Sequence, residues 1–347
     1  MNFLIFWIIA FTVSYLTTPL LRRLAIALRI MDLPGGRKIH HKATPLLGGV
    51  AIYLGVVTVV FSNMNDYGFF IPVLIGGTIM LGVGLLDDLR GLGARFRLVC
   101  QLIAAGIVIA SGIRINFLPH STIGIIGEMI LTFFWIIGVT NAYNYLDGMD
   151  GLAAGSAVIN LFCFEVILYM TNQSYLGILA VILTAACLGF LPQNFRKKKK
   201  MFLGDSGSTF LGFSIACMAL IGAWAEDNIV KISIPILILG VPIFDMIFTT
   251  VMRIKEGKVK NFVEWLEYGG RDHFHHYLVD VGLTHIGAVV FIYFITISLG
   301  ISAIMVSNDK AFEGVLVLFQ AAIIFGIIAT LIVLGKKRRI GRDVEKN

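Results

Sequence analysis

Apolar residues fall along this chain in eleven long runs, each closed by a short polar connection. The runs cover approximately residues 3 to 21, 46 to 62, 69 to 86, 98 to 113, 123 to 140, 152 to 170, 175 to 193, 207 to 224, 229 to 251, 286 to 306 and 315 to 334. A helix needs about 20 mostly apolar residues to bridge roughly 30 Å of hydrocarbon. The pattern therefore predicts an all-α polytopic membrane protein with about eleven transmembrane helices. Residues 1–347 are expected to form one integral membrane catalytic domain, with cytoplasmic loops near 22–45, 87–97, 141–151, 194–206 and 252–285. No fixed-period repeat or soluble domain interrupts the series. In the longest polar connection, Phe262 and Leu266 have the helical spacing of a segment lying on the membrane surface.

Composition agrees: 57% of the residues are apolar and only 14% charged, which excludes a soluble globule and a disordered chain. Cys100, Cys163, Cys187 and Cys217 all lie in apolar stretches without zinc-ligand spacing, and read as small core residues. The net charge of +7 would suit nucleic acid, but its distribution follows topology instead. Of 28 Lys and Arg residues, all but Arg114, Lys231 and Lys310 fall on one side of the predicted membrane. The positive-inside rule makes that side cytoplasmic, with the N-terminus outside and the C-terminus inside. The basic excess then meets anionic lipid, and no nucleic-acid partner is called for. Run 3 to 21 has its basic residues after it, Arg22 and Arg23, the reverse of a secretory signal, and is expected to be a retained helix.

Polar chemistry gathers in the cytoplasmic connections. Asp87 and Asp88 end the third run, where a helix dipole already disfavours negative charge. Arg90 alone could balance them; a divalent ion, or phosphate held by Arg95 and Arg97, is the functional alternative. Next comes Asn141-Ala-Tyr-Asn144-Tyr-Leu-Asp147-Gly-Met-Asp150-Gly, without a single cation. Helical spacing would line Asn141, Asn144, Asp147 and Asp150 along one face. A capped polar turn is the bland account, and a metal with a hydrogen-bonding substrate explains more. In Phe202-Leu-Gly204-Asp205-Ser206-Gly207-Ser208, Asp205 could simply be an N-cap. Following the cations Arg196 to Lys200, the same segment also suits a phosphorylated ligand, and Phe202 could stack on a base. Arg271-Asp272-His273-Phe-His275-His276 offers phosphate binding or proton transfer. Arg37, Lys38, His40, His41 and Lys42 in the first connection read foremost as inside anchors. Asp245 and Glu165 lie within spans, where an ionisable group is costly. Asp245 is near the cytoplasmic end of its run and is placed to support the site from below. The carboxylates favour a hard ion such as Mg²⁺ over zinc.

Together these groups describe phosphoryl transfer between a nucleotide-linked donor and a lipid acceptor, chemistry that needs charge neutralisation more than covalent help. The segments LLDDLRGL, NAYNYLDGMDGLAAG, FLGDSGSTFLGF and RDHFHH occur in that order at span ends. The chain from about Asp32 to His276 thus resembles the polyprenyl-phosphate N-acetylhexosamine-1-phosphate transferases, glycosyltransferase family 4, in their hexosamine branch. The resemblance implies transfer of a sugar 1-phosphate, foremost N-acetylglucosamine 1-phosphate, from a UDP-sugar to undecaprenyl phosphate with release of UMP, as the first membrane step of cell-envelope polysaccharide synthesis. It implies a multi-pass protein of the inner (plasma) membrane with a cytoplasmic active site, and leaves a homodimer open.

By motif position, Asp205 would bind Mg²⁺, with Mn²⁺ as a substitute, and Asn144 would help to hold the metal-bound diphosphate. Asp87, Asp88 and Asp147 are the expected catalytic carboxylates, with Asp87 positioning the acceptor phosphate. Arg97 would meet phosphate, Phe202 would stack on uracil and Asp150 would hydrogen-bond it. Arg271, His273, His275 and His276 would hold phosphates and sugar. Two departures stand out: Arg97 replaces a common Lys, and Gly270 stands where relatives often carry Asp. HFHH differs from the HHH run of the muramoyl-pentapeptide branch, the alternative within the superfamily. A secondary transporter is the alternative from another class, and it would place paired charged repeats near the midplane.

Overall fold

The computed structural model describes residues 3–33, 43–63, 68–270, 272–307 and 310–344, with residues 336–344 described by their backbone alone. The predicted cations and histidines at 37–42 lie outside the described residues, as does Arg271. Every predicted apolar run coincides with helix. They are α1 (Phe3–Ala27), α2 (Gly48–Ser62), α3 (Ile71–Arg90), α4 (Ala94–Ala110), α5 (Thr122–Leu146), α6 (Leu152–Met170), α7 (Ile178–Asn194), α8 (Gly204–Ile221), the pair α9 (Asn228–Ile238) and α10 (Gly240–Lys255), α13 (His285–Val306) and α14 (Ala311–Val344). Two short helices, α11 (Phe262–Glu267) and α12 (Phe274–Asp280), lie in the longest connection, and α11 falls on the segment read as surface-lying. Among the described residues, seven helices are long and apolar enough to cross a bilayer, or eight if α9 and α10 form one bent span. The chain is thus an all-α, multi-pass membrane protein.

Helices α2, α4 and α7 have 15, 17 and 17 residues. At 1.5 Å per residue that is about 22 to 26 Å, shorter than the hydrocarbon layer. Between α9 and α10 the axis turns by 76°. Pro242 has no N–H for the carbonyl of Ile238 and its ring crowds that carbonyl, so one continuous helix cannot form there.

The described chain gathers into two compact units, Met1–Ala223 and Trp224–Asn347. In the first, α8 is the central helix, packed against α2, α3, α5 and α6. Its interior position is shown by the 83% of its residues that are buried. Contact with α3 is close because Gly84 has no side chain, and a methyl there would strike the backbone of Asp205. The strands β1 (Met31–Asp32) and β2 (Thr44–Pro45) pair antiparallel. Phe202 N–H donates to the Pro45 carbonyl at 2.9 Å, and Gly48 and Gly49 donate back to the carbonyls of Phe202 and Leu203. The chain entering α8 is therefore held on both sides. In the second unit, α9 packs on α13 and α14, and α10 contacts α12, α13 and α14.

Candidate active site

Asp87 and Asp88 are adjacent in the last turn of α3 but face different tasks. The helix stops at Gly91, and Asp87 closes the turn: its Oδ1 accepts the Leu92 N–H at 2.6 Å and its Oδ2 the Arg97 Nη1 at 2.7 Å. Arg97, expected to meet phosphate, is thus tied to a carboxylate, with 35% of its side chain still open to solvent. Asp88 instead reaches the first turn of α8. Its Oδ1 accepts the Asp205 N–H at 2.9 Å and its Oδ2 the Ser206 N–H at 3.2 Å. The N-cap role read for Asp205 from sequence therefore belongs to Asp88, supplied from another helix. Gly204 makes this fit possible. It sits at φ +78, and a Cβ there would meet the Asp88 carboxylate.

Asp205 is oriented from the side by Asn144, whose Nδ2 donates to Asp205 Oδ1 at 2.8 Å and lies 3.0 Å from the Ser208 hydroxyl. Asn144 thus meets Asp205 through its amide nitrogen, and its oxygen is the atom left for a ligand. The Thr209 hydroxyl, 2.6 Å from the Asp205 carbonyl and 3.2 Å from that of Met80, ties the same turn to α3.

The predicted row Asn141, Asn144, Asp147 and Asp150 is only partly helical. Helix α5 ends at Leu146, so Asp147 is its C-cap residue and Asp150 lies in the turn beyond. Asn141 is taken up by two reciprocal hydrogen bonds with Gln101, at 3.0 and 3.1 Å. Asp147 turns into the carboxylate cluster. Its pKa is pushed well above the usual range, first by removal from water and then by the charges of Asp205 and Asp88; only the Gly204 N–H among the larger influences pulls it down. Asp150 is ion-paired with Lys200, whose ammonium lies 5.7 Å from the centre of the half-buried Phe202 ring. The residues assigned to the base thus form one cluster.

Two contributors were not singled out from sequence. Asn194 accepts the Gly151 N–H and donates to the Met201 carbonyl, joining the loop after α5 to the segment before α8. Its signal was an amide closing an otherwise apolar run. Ser208, a hydroxyl one turn after Gly204, was read only as part of a phosphate cradle.

In the second unit, His273, Phe274, His275 and His276 open α12. His273 and His275 are buried, whereas His276 is half-exposed. Burial, followed by the charge of His276, pushes the His275 pKa down to about 3, while Asp245 opposes the shift. At Asp272 burial acts upward, but the hydrogen bond and charge of Arg253 outweigh it and hold the carboxyl below its usual range.

The first unit therefore brings together Asp87, Asp88, Arg97, Asn144, Asp147 and Asp205 from the ends of α3, α4, α5 and α8. Among the described residues, no three His, Cys, Asp or Glu side chains form a metal cage by themselves. An open set of hard oxygen donors suits an ion that takes one or two carboxylates and completes its shell with water and substrate phosphate.

A helical membrane protein with carboxylates gathered at its helix ends is the class that fold and site define. A family model described as glycosyl transferase family 4 matches residues 70–223, the stretch containing all of that cluster. The chain is 36% identical over 332 residues to a probable undecaprenyl-phosphate N-acetylglucosaminyl 1-phosphate transferase of Bacillus subtilis, covering 93% of this chain and 91% of that protein. It is 29% identical over 363 residues to a decaprenyl-phosphate N-acetylglucosaminephosphotransferase of Mycobacterium leprae, covering 94% and 89%. An undecaprenyl-phosphate alpha-N-acetylglucosaminyl 1-phosphate transferase of Yersinia pestis is 25% identical over 296 residues, covering 82% and 79%. The chain belongs to glycosyl transferase family 4.

Proposed function

We propose that the protein transfers N-acetylglucosamine 1-phosphate from UDP-N-acetylglucosamine to undecaprenyl phosphate. The observation that carries this reading is the convergence of Asp88, Asp147 and Asp205 at the end of α8, in a chain whose relatives bear the names given above. An oxygen of the acceptor phosphate forms a bond to the sugar-bearing phosphorus. The bond from that phosphorus to the bridging oxygen breaks, and UMP leaves with the electron pair. A phosphate monoester has its second pKa near 6, so the acceptor is largely dianionic at neutral pH and little base catalysis is required. Asp87 positions the Arg97 guanidinium, and Asp88 fixes the backbone that aims Asp205.

Asp205 would hold Mg²⁺, and the Asn144 oxygen and the Asp147 carboxyl are the further oxygen donors that could join it. When bound, the ion supplies neutralisation of the donor diphosphate and of charge on the leaving phosphate. Phe202, beside Asp150 and Lys200, offers a face for the uracil ring, and His276 a cation or donor for phosphate.

The Lys/Arg distribution supports eleven crossings, with α9 and α10 as one bent span and α2, α4 and α7 as short ones. This orientation puts the N-terminus outside and the cluster on the cytoplasmic side of the plasma membrane. Purified protein in detergent, given undecaprenyl phosphate, Mg²⁺ and a panel of UDP-sugars, should release UMP with UDP-N-acetylglucosamine. No release with any sugar would sink the proposal.

A further inference from the structure

The reaction just outlined makes no use of the buried polar face of α10. Asp245, Thr249 and Arg253 follow one another at intervals of four, which places them on one side of that helix. All three are 0% to 1% exposed. A charge removed from water this far must be paired, and a buried pair adds little stability over an apolar replacement of the same size. What such a pair does supply is direction.

The partners of this row lie in three consecutive residues, Asp272 to Phe274. Arg253 Nε and Nη2 donate to the two carboxylate oxygens of Asp272 at 3.0 and 2.8 Å, with the Tyr268 ring over the guanidinium at 4.8 Å. The Thr249 hydroxyl lies 3.1 Å from the Asp272 carbonyl and 3.0 Å from Asp245 Oδ1. Asp245 Oδ1 accepts the Phe274 N–H at 2.6 Å. Between these contacts sits His273, its Nδ1 3.4 Å from Asp245 Oδ2 and its Nε2 3.3 Å from Arg253 Nη2. A guanidinium can only donate, so Nε2 is the acceptor and Nδ1 carries the proton towards Asp245. Backbone and ring are thus both fixed just before the first turn of α12, which carries the half-exposed His276.

We propose that Asp245, Thr249 and Arg253 are positioning residues that lock Asp272–Phe274, set the tautomer of His273 and so hold the first turn of α12, with His276, in the one orientation that binds sugar-nucleotide phosphate. Only the binding of phosphate rests on the proposed transferase activity. The row belongs to α10 and the lock to the loop before α12, so the geometry can be tested apart from the reaction.

The test compares wild type with Arg253→Lys, Thr249→Val and Thr249→Ser by amide exchange of the 272–277 segment and by UMP-release kinetics. An ammonium cannot serve both oxygens of Asp272. Arg253→Lys and Thr249→Val should exchange at least tenfold faster in this segment. They should raise KM for UDP-N-acetylglucosamine about tenfold and leave KM for undecaprenyl phosphate unchanged. Thr249→Ser, which keeps the hydroxyl, should behave as wild type. Wild-type exchange in both disruptive variants would overturn the proposal, as would faster exchange with both KM values unchanged. Should Arg253→Lys fail to fold, the uncharged Thr249 pair decides alone. Should wild type release no UMP, the transferase reading fails, and exchange by itself judges the row: protection lost in Thr249→Val and kept in Thr249→Ser upholds the lock, and equal protection removes it.

Discussion

The carboxylate of Asp88, at the C-terminal end of α3, accepts the backbone N–H of Asp205 at the N-terminal end of α8 at 2.9 Å. A negative charge is poorly placed at the end of its own helix and well placed at the start of another. The acidic pair that looks unfavourable within the third run is therefore half accounted for by tertiary contact. Because Asp205 follows Gly204 directly, the same contact sets where the Asp205 side chain leaves the backbone.

Replacing Asp88 by Ala should remove both hydrogen bonds at the head of α8. Loss of a cap costs typically about 1 kcal/mol, within a range of roughly 0.5–2. The variant should unfold at a lower temperature in detergent, and its UMP release should fall by at least about a hundredfold because Asp205 is no longer aimed. Asn keeps one acceptor and should recover much of the stability. Equal unfolding temperatures for wild type and the Ala variant would show that the cap contributes nothing.

Asp205→Asn separates charge from shape. The amide keeps an oxygen for the Asn144 donor and ends the repulsion with Asp88 and Asp147. Stability should be unchanged or higher, while UMP release should fall by about a thousandfold or more at any Mg²⁺ concentration. Activity restored by raising Mg²⁺ would place the metal elsewhere.

Much of this was legible in the sequence because it is local. Each apolar run became helix; Asp87 and Asp88 were marked by ending a helix whose dipole disfavours them, Asn144 and Asp147 by a connection without a cation, and Asp205 by a glycine- and hydroxyl-rich segment after five cations. Contacts between distant segments were not legible. Spacing alone extended the Asn141 row to Asp150, whereas the helix stops at Leu146 and Gln101, 40 residues earlier, occupies Asn141. Asn194 gave only the signal of an amide in an apolar run, since its partners Gly151 and Met201 are fixed by the fold. The turn between α9 and α10 was hidden because Gly240 and Pro242 lie in a continuous apolar stretch.

The orientation is open to direct labelling. In a Cys100→Ser background the remaining native thiols are all buried. Lys198→Cys lies in the basic connection between α7 and α8 and should resist a membrane-impermeant thiol reagent in intact cells, reacting only after permeabilisation. Labelling from outside would invert the topology and move the acidic cluster to the other face.

The acid limb of stability should report on His275. Its ring is fully buried, neither nitrogen has a hydrogen-bond partner in the described structure, and its pKa is held down to about 3 against an ordinary 6.5. Between those values the unfolded chain binds a proton that the folded chain does not, so folding stability rises with pH across that window and falls as pH drops through 6.5. The slope is about 1.4 kcal/mol per pH unit, which makes roughly 2 kcal/mol between pH 6.5 and 5. The charges of His276, Asp245, His273 and His285 act on the ring, and Asp272 adds loss at still lower pH. Asp147 acts oppositely, because a carboxyl with a raised pKa stabilises the fold as pH falls through that pKa. The comparison that isolates His275 is therefore between wild type and His275→Gln, with unfolding temperatures read at pH 7.5 and at pH 5. Wild type should lose several degrees more than the variant over this interval. An equal loss in both would mean that the ring takes up its proton in the folded state.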